Sequence, residues 1–257
     1  VQHEIKPGCE AWTAAGSGSN ADVGVLLLHG FTGSPASMRP WAEDLNQRGF
    51  TVEVPRLPGH GTHWRDLRTV TWQDLARATV AAFEDLRSRT RTVVVMGLSN
   101  GALLALRLAQ TRPADLAGIV LVNPFVYTLD PRAKLLPVLK LVIPSLPGVI
   151  NDIAKPDMDE LGYDRLPLRA VASMTQLQKM VQAKLGQTNV PTLLFTSRED
   201  HVLGEKAHTR LASALRSDDF EHVWLERSYH VATLDYDYPV ILEGSAKFAE
   251  RVASVTS

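Results

Sequence analysis

One stretch constrains the fold of this chain more than any other. Val93-Val94-Val95-Met96 runs into Gly97-Leu98-Ser99-Asn100-Gly101, and an Ala/Leu-rich run begins at Ala102-Leu103-Leu104. An unbroken apolar, β-branched run suits a strand buried on both faces, and the Ala/Leu run suits a helix. The chain must therefore pass from strand to helix within a few residues, at a serine set in the pattern Gly-x-Ser-x-Gly. A serine on such a turn takes a strained backbone conformation, and Gly97 and Gly101 leave the space that side chains would fill. The turn holds the hydroxyl clear of the sheet edge, above the unpaired N–H groups of a helix N-terminus. Ser99 is thus the candidate nucleophile.

The flanking sequence repeats the strand-helix pattern. Strands are predicted over 23–28, 50–54, 118–122, 192–196 and 220–225, with helices after Pro35 and over 72–87, 205–215 and 239–252. Alternation at this spacing implies βαβ crossovers and a parallel, doubly wound sheet. The pattern breaks between Phe125 and Gln187, where no strand pattern is visible and a helix is predicted over 168–185. That stretch reads as an insertion over the carboxyl edge of the sheet, where open α/β sheets bind ligands. The expected organisation is one domain, with residues 1–124 and 188–257 as core and 125–187 as a lid.

Composition narrows the function classes. A formal net charge of −1 supplies no basic field for nucleic acid. Cys9 is the single cysteine, so no intramolecular disulfide can form. No leader or membrane span is visible, and the cytoplasm is the expected compartment, with secretion after leader removal left open. No metal or cofactor is expected: Gly59-His60-Gly61-Thr62-His63 has no carboxylate or cysteine at ligand spacing and no Gly-Lys-Ser/Thr.

A serine hydroxyl needs a base, and the base needs a third group to fix its tautomer. With the order nucleophile, acid, base along an α/β chain, His230 is the candidate base, in the loop after the last predicted strand. His201, His208 and His222 precede it, and His3, His29, His60 and His63 come before the serine. Asp200 follows the strand over 192–196 and is the candidate acid, with Glu199 and Asp130 as rivals. The oxyanion of the reaction needs two N–H donors, expected from the backbones of Asn100 and Phe31. His29 is expected to brace the Phe31 loop through hydrogen bonds.

With these residues in place, the chain resembles the α/β-hydrolase superfamily, and within it the bacterial monoacylglycerol lipases and related carboxylesterases. The likeness runs from about Val23 to the C-terminus. It rests on Leu27-Leu28-His29-Gly30-Phe31-Thr32-Gly33, Pro55-Arg56-Leu57-Pro58-Gly59-His60-Gly61-Thr62, Gly97-Leu98-Ser99 and Glu199-Asp200-His201-Val202. The long Ser228-Tyr229-His230-Val231-Ala232-Thr233-Leu234-Asp235-Tyr236-Asp237 carries most weight. The resemblance implies a mostly parallel sheet flanked by helices, with a small helical lid after the sixth strand. It places the family's triad on Ser99, Asp200 and His230, and its oxyanion donors on Phe31 and Asn100. It also implies that Glu160, in Lys155-Pro156-Asp157-Met158-Asp159-Glu160-Leu161, accepts hydrogen bonds from glycerol hydroxyls, and that Val149 gates the alcohol pocket. Asn100 and Ala102 depart from the family's usual Met and Gly.

The expected reaction is hydrolysis of monoacylglycerols to fatty acid and glycerol through an acyl-enzyme. The alternatives are a medium-chain carboxylesterase or acyl thioesterase without glycerol preference, or a non-catalytic receptor on a hydrolase fold. Leu135, Leu136, Val138, Leu139, Leu141, Val142 and Ile143 are expected to line an acyl-chain tunnel, or to touch a membrane or micelle surface.

Overall fold

The computed structural model describes residues 3–129 and 135–255. In chain order its strands are β1 (Trp12–Ala14), β2 (Val23–Leu28), β3 (Thr51–Val54), β4 (Thr92–Leu98), β5 (Gly118–Val122), β6 (Ser145–Pro147), β7 (Arg165–Pro167), β8 (Thr192–Ser197) and β9 (Phe220–Leu225). The α-helices are α1 (Arg39–Gln47), α2 (Trp64–Leu67), α3 (Trp72–Arg89), α4 (Asn100–Thr111), α5 (Leu136–Val142), α6 (Leu168–Gln182), α7 (Glu205–Ala214) and α8 (Tyr238–Val255).

Seven strands form the central sheet in the order β1-β3-β2-β4-β5-β8-β9. β1 is antiparallel to β3, and every other pairing is parallel. The central strands are buried on both faces, as their apolar runs require. Along β2, Leu26 and Leu28 pack into the layer with α3, α4, α6 and α7, while Val25 and Leu27 pack against α1 and α8. Trp41 and Leu45 of α1 are fully buried on that second face.

The topology fixes where a site can form. β2 lies between β3 and β4, so the chain leaves its carboxyl end toward one side of the sheet and returns on the other. Such a switch point opens a crevice between neighbouring strand ends. Leu28 pairs with Gly97 in register, so the His29–Phe31 loop and Ser99 emerge side by side.

The segment between β5 and β8 follows the fifth strand in chain order, where a sixth was expected, because one short strand alone precedes Val23 among the described residues. It is also not wholly helical. β6 and β7 pair as an antiparallel ribbon, Ser145 opposite Pro167 and Pro147 opposite Arg165. Strands of three residues ending in proline carry no alternation that a sequence window can detect.

Candidate active site

Ser99 sits between β4 and α4 with φ 55° and ψ −113°, a conformation that side chains rarely adopt. Its backbone is held on three sides. Ser99 N–H donates to Val122 O (2.9 Å), while Ser99 O accepts from Phe125 N–H (3.1 Å) and Leu103 N–H (3.1 Å). A Cβ on Gly101 would overlap the Leu28 carbonyl, and one on Gly97 would overlap the backbone of Gly101. Both glycines therefore permit the strand-to-helix turn by close approach alone.

His230, in the loop after β9, points its Nε2 at Ser99 Oγ (2.9 Å) and its Nδ1 at Asp200 Oδ2 (2.8 Å). Glu199, the neighbouring candidate acid, is exposed. Asp130 lies outside the described residues. The Asp200 side chain is inaccessible to solvent, and His230 is nearly so. Asp200 Oδ1 accepts the N–H groups of Val202 (2.8 Å) and Leu203 (2.9 Å), and Oδ2 also accepts from His208 Nε2 (2.9 Å). Burial pushes the Asp200 carboxyl up, but the charge of His230 and hydrogen bonds from both histidines outweigh it and hold it well below the usual carboxylate range. Burial pulls His230 down; Asp200 outweighs that, aided by Glu160 and Asp152, so the imidazole stands above its ordinary value.

The loop carrying His230 is anchored from both flanks. Asn123, just after β5, donates from Nδ2 to the His230 carbonyl (2.8 Å), and Ser197 Oγ donates to Tyr229 O (2.8 Å). From the inserted segment, Asp152 Oδ2 accepts His230 N–H (3.1 Å) and Asp152 O accepts Val231 N–H (3.0 Å). Asp235 accepts from Ala154, Lys155 and Tyr229, joining the same two stretches again. Neither Asp152 nor His208 carries a local sequence signal for these contacts.

Neither the Phe31 N–H nor the Asn100 N–H has a backbone acceptor among the described residues. His29 Nδ1 donates to Gly30 O (3.0 Å) and its Nε2 accepts Leu57 N–H (3.1 Å), which fixes the neutral tautomer and the loop beside Ser99. Burial drives its pKa down to about 3. The Asn100 side chain is fully buried, its amide unpaired among the described residues, and it is no part of the cavity wall. Its polarity therefore does not alter the pocket lining.

A cavity of about 160 Å³ opens above Ser99, with Phe31, Phe125, Val149, Glu160, Met174 and His230 among its walls. Glu160 is partly buried. Its Oε1 accepts Asn151 N–H (3.0 Å), its carbonyl accepts from Ser34 Oγ (3.0 Å), and burial raises its carboxyl. Val149 is 58% exposed and stands at the rim. The expected tunnel residues do not line this cavity. Leu135, Val138, Leu141 and Val142 face outward, because α5 turns Leu136 and in part Leu139 toward the protein.

Known proteins resemble this chain along most of its length. The family model described as serine aminopeptidase, S33, matches residues 19–237. A thermostable monoacylglycerol lipase of Bacillus sp. (strain H-257) is 39% identical over 252 residues, covering 98% of each chain. A carboxylesterase of Bacillus subtilis (strain 168) is 26% identical over 234 residues, covering 90% of this chain and 94% of that one. A structure from work on the metagenome-derived lipolytic enzymes LipS and LipT superposes with a TM-score of 0.91 at 35% identity, covering 96% of this chain and all of the other.

Proposed function

The chain belongs to the serine aminopeptidase S33 family of α/β-hydrolases and is a serine ester hydrolase, and from that premise we propose that it is a monoacylglycerol lipase whose nucleophile is Ser99. His230 takes the Ser99 proton as Oγ attacks the ester carbonyl, and Asp200 steadies the imidazolium that forms. The Phe31 and Asn100 amides receive the oxyanion. His230 Nε2–H then protonates the departing alcohol oxygen, and the acyl group stays on Oγ. Water enters, gives its proton to His230 and attacks the acyl carbonyl; collapse returns the proton to Oγ and frees the fatty acid.

The observation that carries the reading is the Ser99–His230–Asp200 chain of contacts, at 2.9 and 2.8 Å, beneath a cavity that also contains a carboxylate. Glu160 spends one oxygen on Asn151 N–H, and the other is the acceptor we assign to glycerol hydroxyls. An alkyl ester offers no such donor. The segment over 125–187 acts as the lid in this reading, with Val149 as the gate at its rim. Its outward residues Val138, Leu141 and Val142 contact the micelle or membrane surface where the substrate resides. No helix among the described residues is long and apolar enough to cross a membrane. A single buried cysteine suits the reducing cytoplasm, where we place the protein.

The test is the initial rate on 1-lauroylglycerol, methyl laurate and p-nitrophenyl laurate. The reading expects a preference for the glyceride, its loss in Glu160→Gln, and no turnover of any ester by Ser99→Ala. Equal rates on the three esters with a silent Glu160→Gln would make the protein a general carboxylesterase.

A further inference from the structure

Asp200 serves two imidazoles, and the proposed reaction uses one. His208, on the first turn of α7, is 1% exposed and directs Nε2 at the same Oδ2 atom that faces His230, at 2.9 against 2.8 Å. With Val202 and Leu203 on Oδ1, the carboxylate has a donor on every side. An ionised carboxylate only accepts hydrogen bonds, so the His208 proton must sit on Nε2. Its Nδ1 is buried without a partner among the described residues. A buried nitrogen left unpaired is unfavourable, so the contact with Asp200 is what holds the ring in this place.

Resting on the triad reading above, we propose that His208 is a positioning residue: its Nε2–H fixes the Asp200 carboxylate and takes a share of the charge that would otherwise face His230 alone. The short loop makes this arrangement local. Gly204 N–H donates to Asp200 O (3.0 Å), and α7 starts at the next residue, bringing His208 back over the carboxylate.

The consequence is a His230 of moderated basicity. The charged and titratable groups bearing on His230 are Asp200, Glu160 and Asp152, all of which favour its protonated form. His222, held by Thr196 Oγ1 on the neighbouring strand, and Arg198 beyond it stand on the His208 side. His208 is thus the imidazole that competes directly with His230 for Oδ2. Removing its donor leaves Oδ2 wholly to His230, which then holds its proton to higher pH.

The test is the pH profile of kcat/KM for p-nitrophenyl laurate in the full chain, for wild type, His208→Leu and His208→Gln. The acid limb reports the base in the free enzyme. His208→Leu should raise that limb by about half to one pH unit and lower plateau kcat about tenfold with little change in KM. His208→Gln, whose amide N–H can occupy the Nε2 position, should restore both toward wild type. Where leucine disturbs folding, judged by circular dichroism and thermal melting, His208→Asn withdraws the donor while keeping a polar side chain and should shift the limb the same way. A limb unmoved in the variants that lack the donor, or a glutamine variant that behaves like leucine, would reduce His208 to packing and overturn the proposal. Ser99→Ala in the same assay separates the two claims: residual turnover there removes the triad reading, whereas a dead Ser99→Ala with a flat His208 series removes only this one.

Discussion

The backbone N–H of His230 donates to Asp152 Oδ2 at 3.1 Å, so the loop bearing the proposed base is tied to the segment between β5 and β8. Asp152 also accepts His201 N–H (3.2 Å) and meets His201 Nδ1 (2.7 Å). One carboxylate thus ties both the Asp200–His201 loop and the His230 loop to the cavity wall.

Replacing Asp152 by alanine strands the His230 N–H, whereas the exposed His201 N–H passes to water. Leaving a buried donor unsatisfied costs about 1–3 kcal/mol, and urea unfolding should show a loss of that order. kcat should fall more than KM rises, because the base and not the substrate contact is displaced. Asp152→Asn keeps an acceptor oxygen and should retain most of the stability. It also removes a charge that supports protonated His230, so the acid limb of its kcat/KM profile should move to lower pH.

His60 is fully buried behind the Phe31 loop, its ring 4.9 Å from that of His29 and 6.2 Å from that of Phe31. Burial lowers its pKa from 6.5 to about 4. Above pH 6.5 it is neutral folded and unfolded, and it adds no pH dependence. Between 6.5 and about 4 the unfolded chain takes up a proton that the folded state refuses, so stability falls as pH falls, by about 1.4 kcal/mol per unit. His29, lowered to about 3, acts in the same sense, and Glu53, raised by burial to about 7, acts in the opposite sense between about 7 and its ordinary value, so total stability mixes all three. The difference between wild type and His60→Gln isolates the histidine. Denaturant unfolding from pH 7 to 4.5 should show the wild type losing stability faster than the variant.

On α5, Val138, Leu141 and Val142 are 66%, 71% and 74% exposed. Changing all three to serine should leave the rate on a short, monomeric ester unchanged within about twofold, since none of them lines the cavity. The rate on micellar 1-lauroylglycerol should drop severalfold, and a vesicle-flotation assay should show weaker binding than wild type. Equal loss on both substrates would mean that the helix acts through the cavity instead.

Much of this architecture was legible because it is local. The buried runs at Val23–Leu28 and Gly118–Val122 occupy the expected residues, since continuous apolar strands end where polar loops begin, and the mostly half-buried edge strand Phe220–Leu225 also falls where expected. The Ser99, Asp200 and His230 loops each follow a strand of one parallel sheet, and chain order alone brings their carboxyl ends to one edge. β1, β6 and β7 escaped because three residues carry no period, and their pairing depends on distant partners. The apolar run over 135–143 revealed that α5 has an apolar surface, though not what it faces. Asp152 and His208 were silent for the same reason: an aspartate and a histidine on a polar stretch gain meaning only from the atoms that approach them in space.

The most direct measurement of the central claim is covalent. The protein is treated with a long-chain alkyl phosphonate ester, and the adduct is located by intact-mass and peptide mass spectrometry. The account predicts one equivalent per chain, on the peptide containing Ser99, with no incorporation in Ser99→Ala and slow incorporation when His230 is replaced by alanine. Labelling that persists in Ser99→Ala, or that maps to another residue, would contradict it.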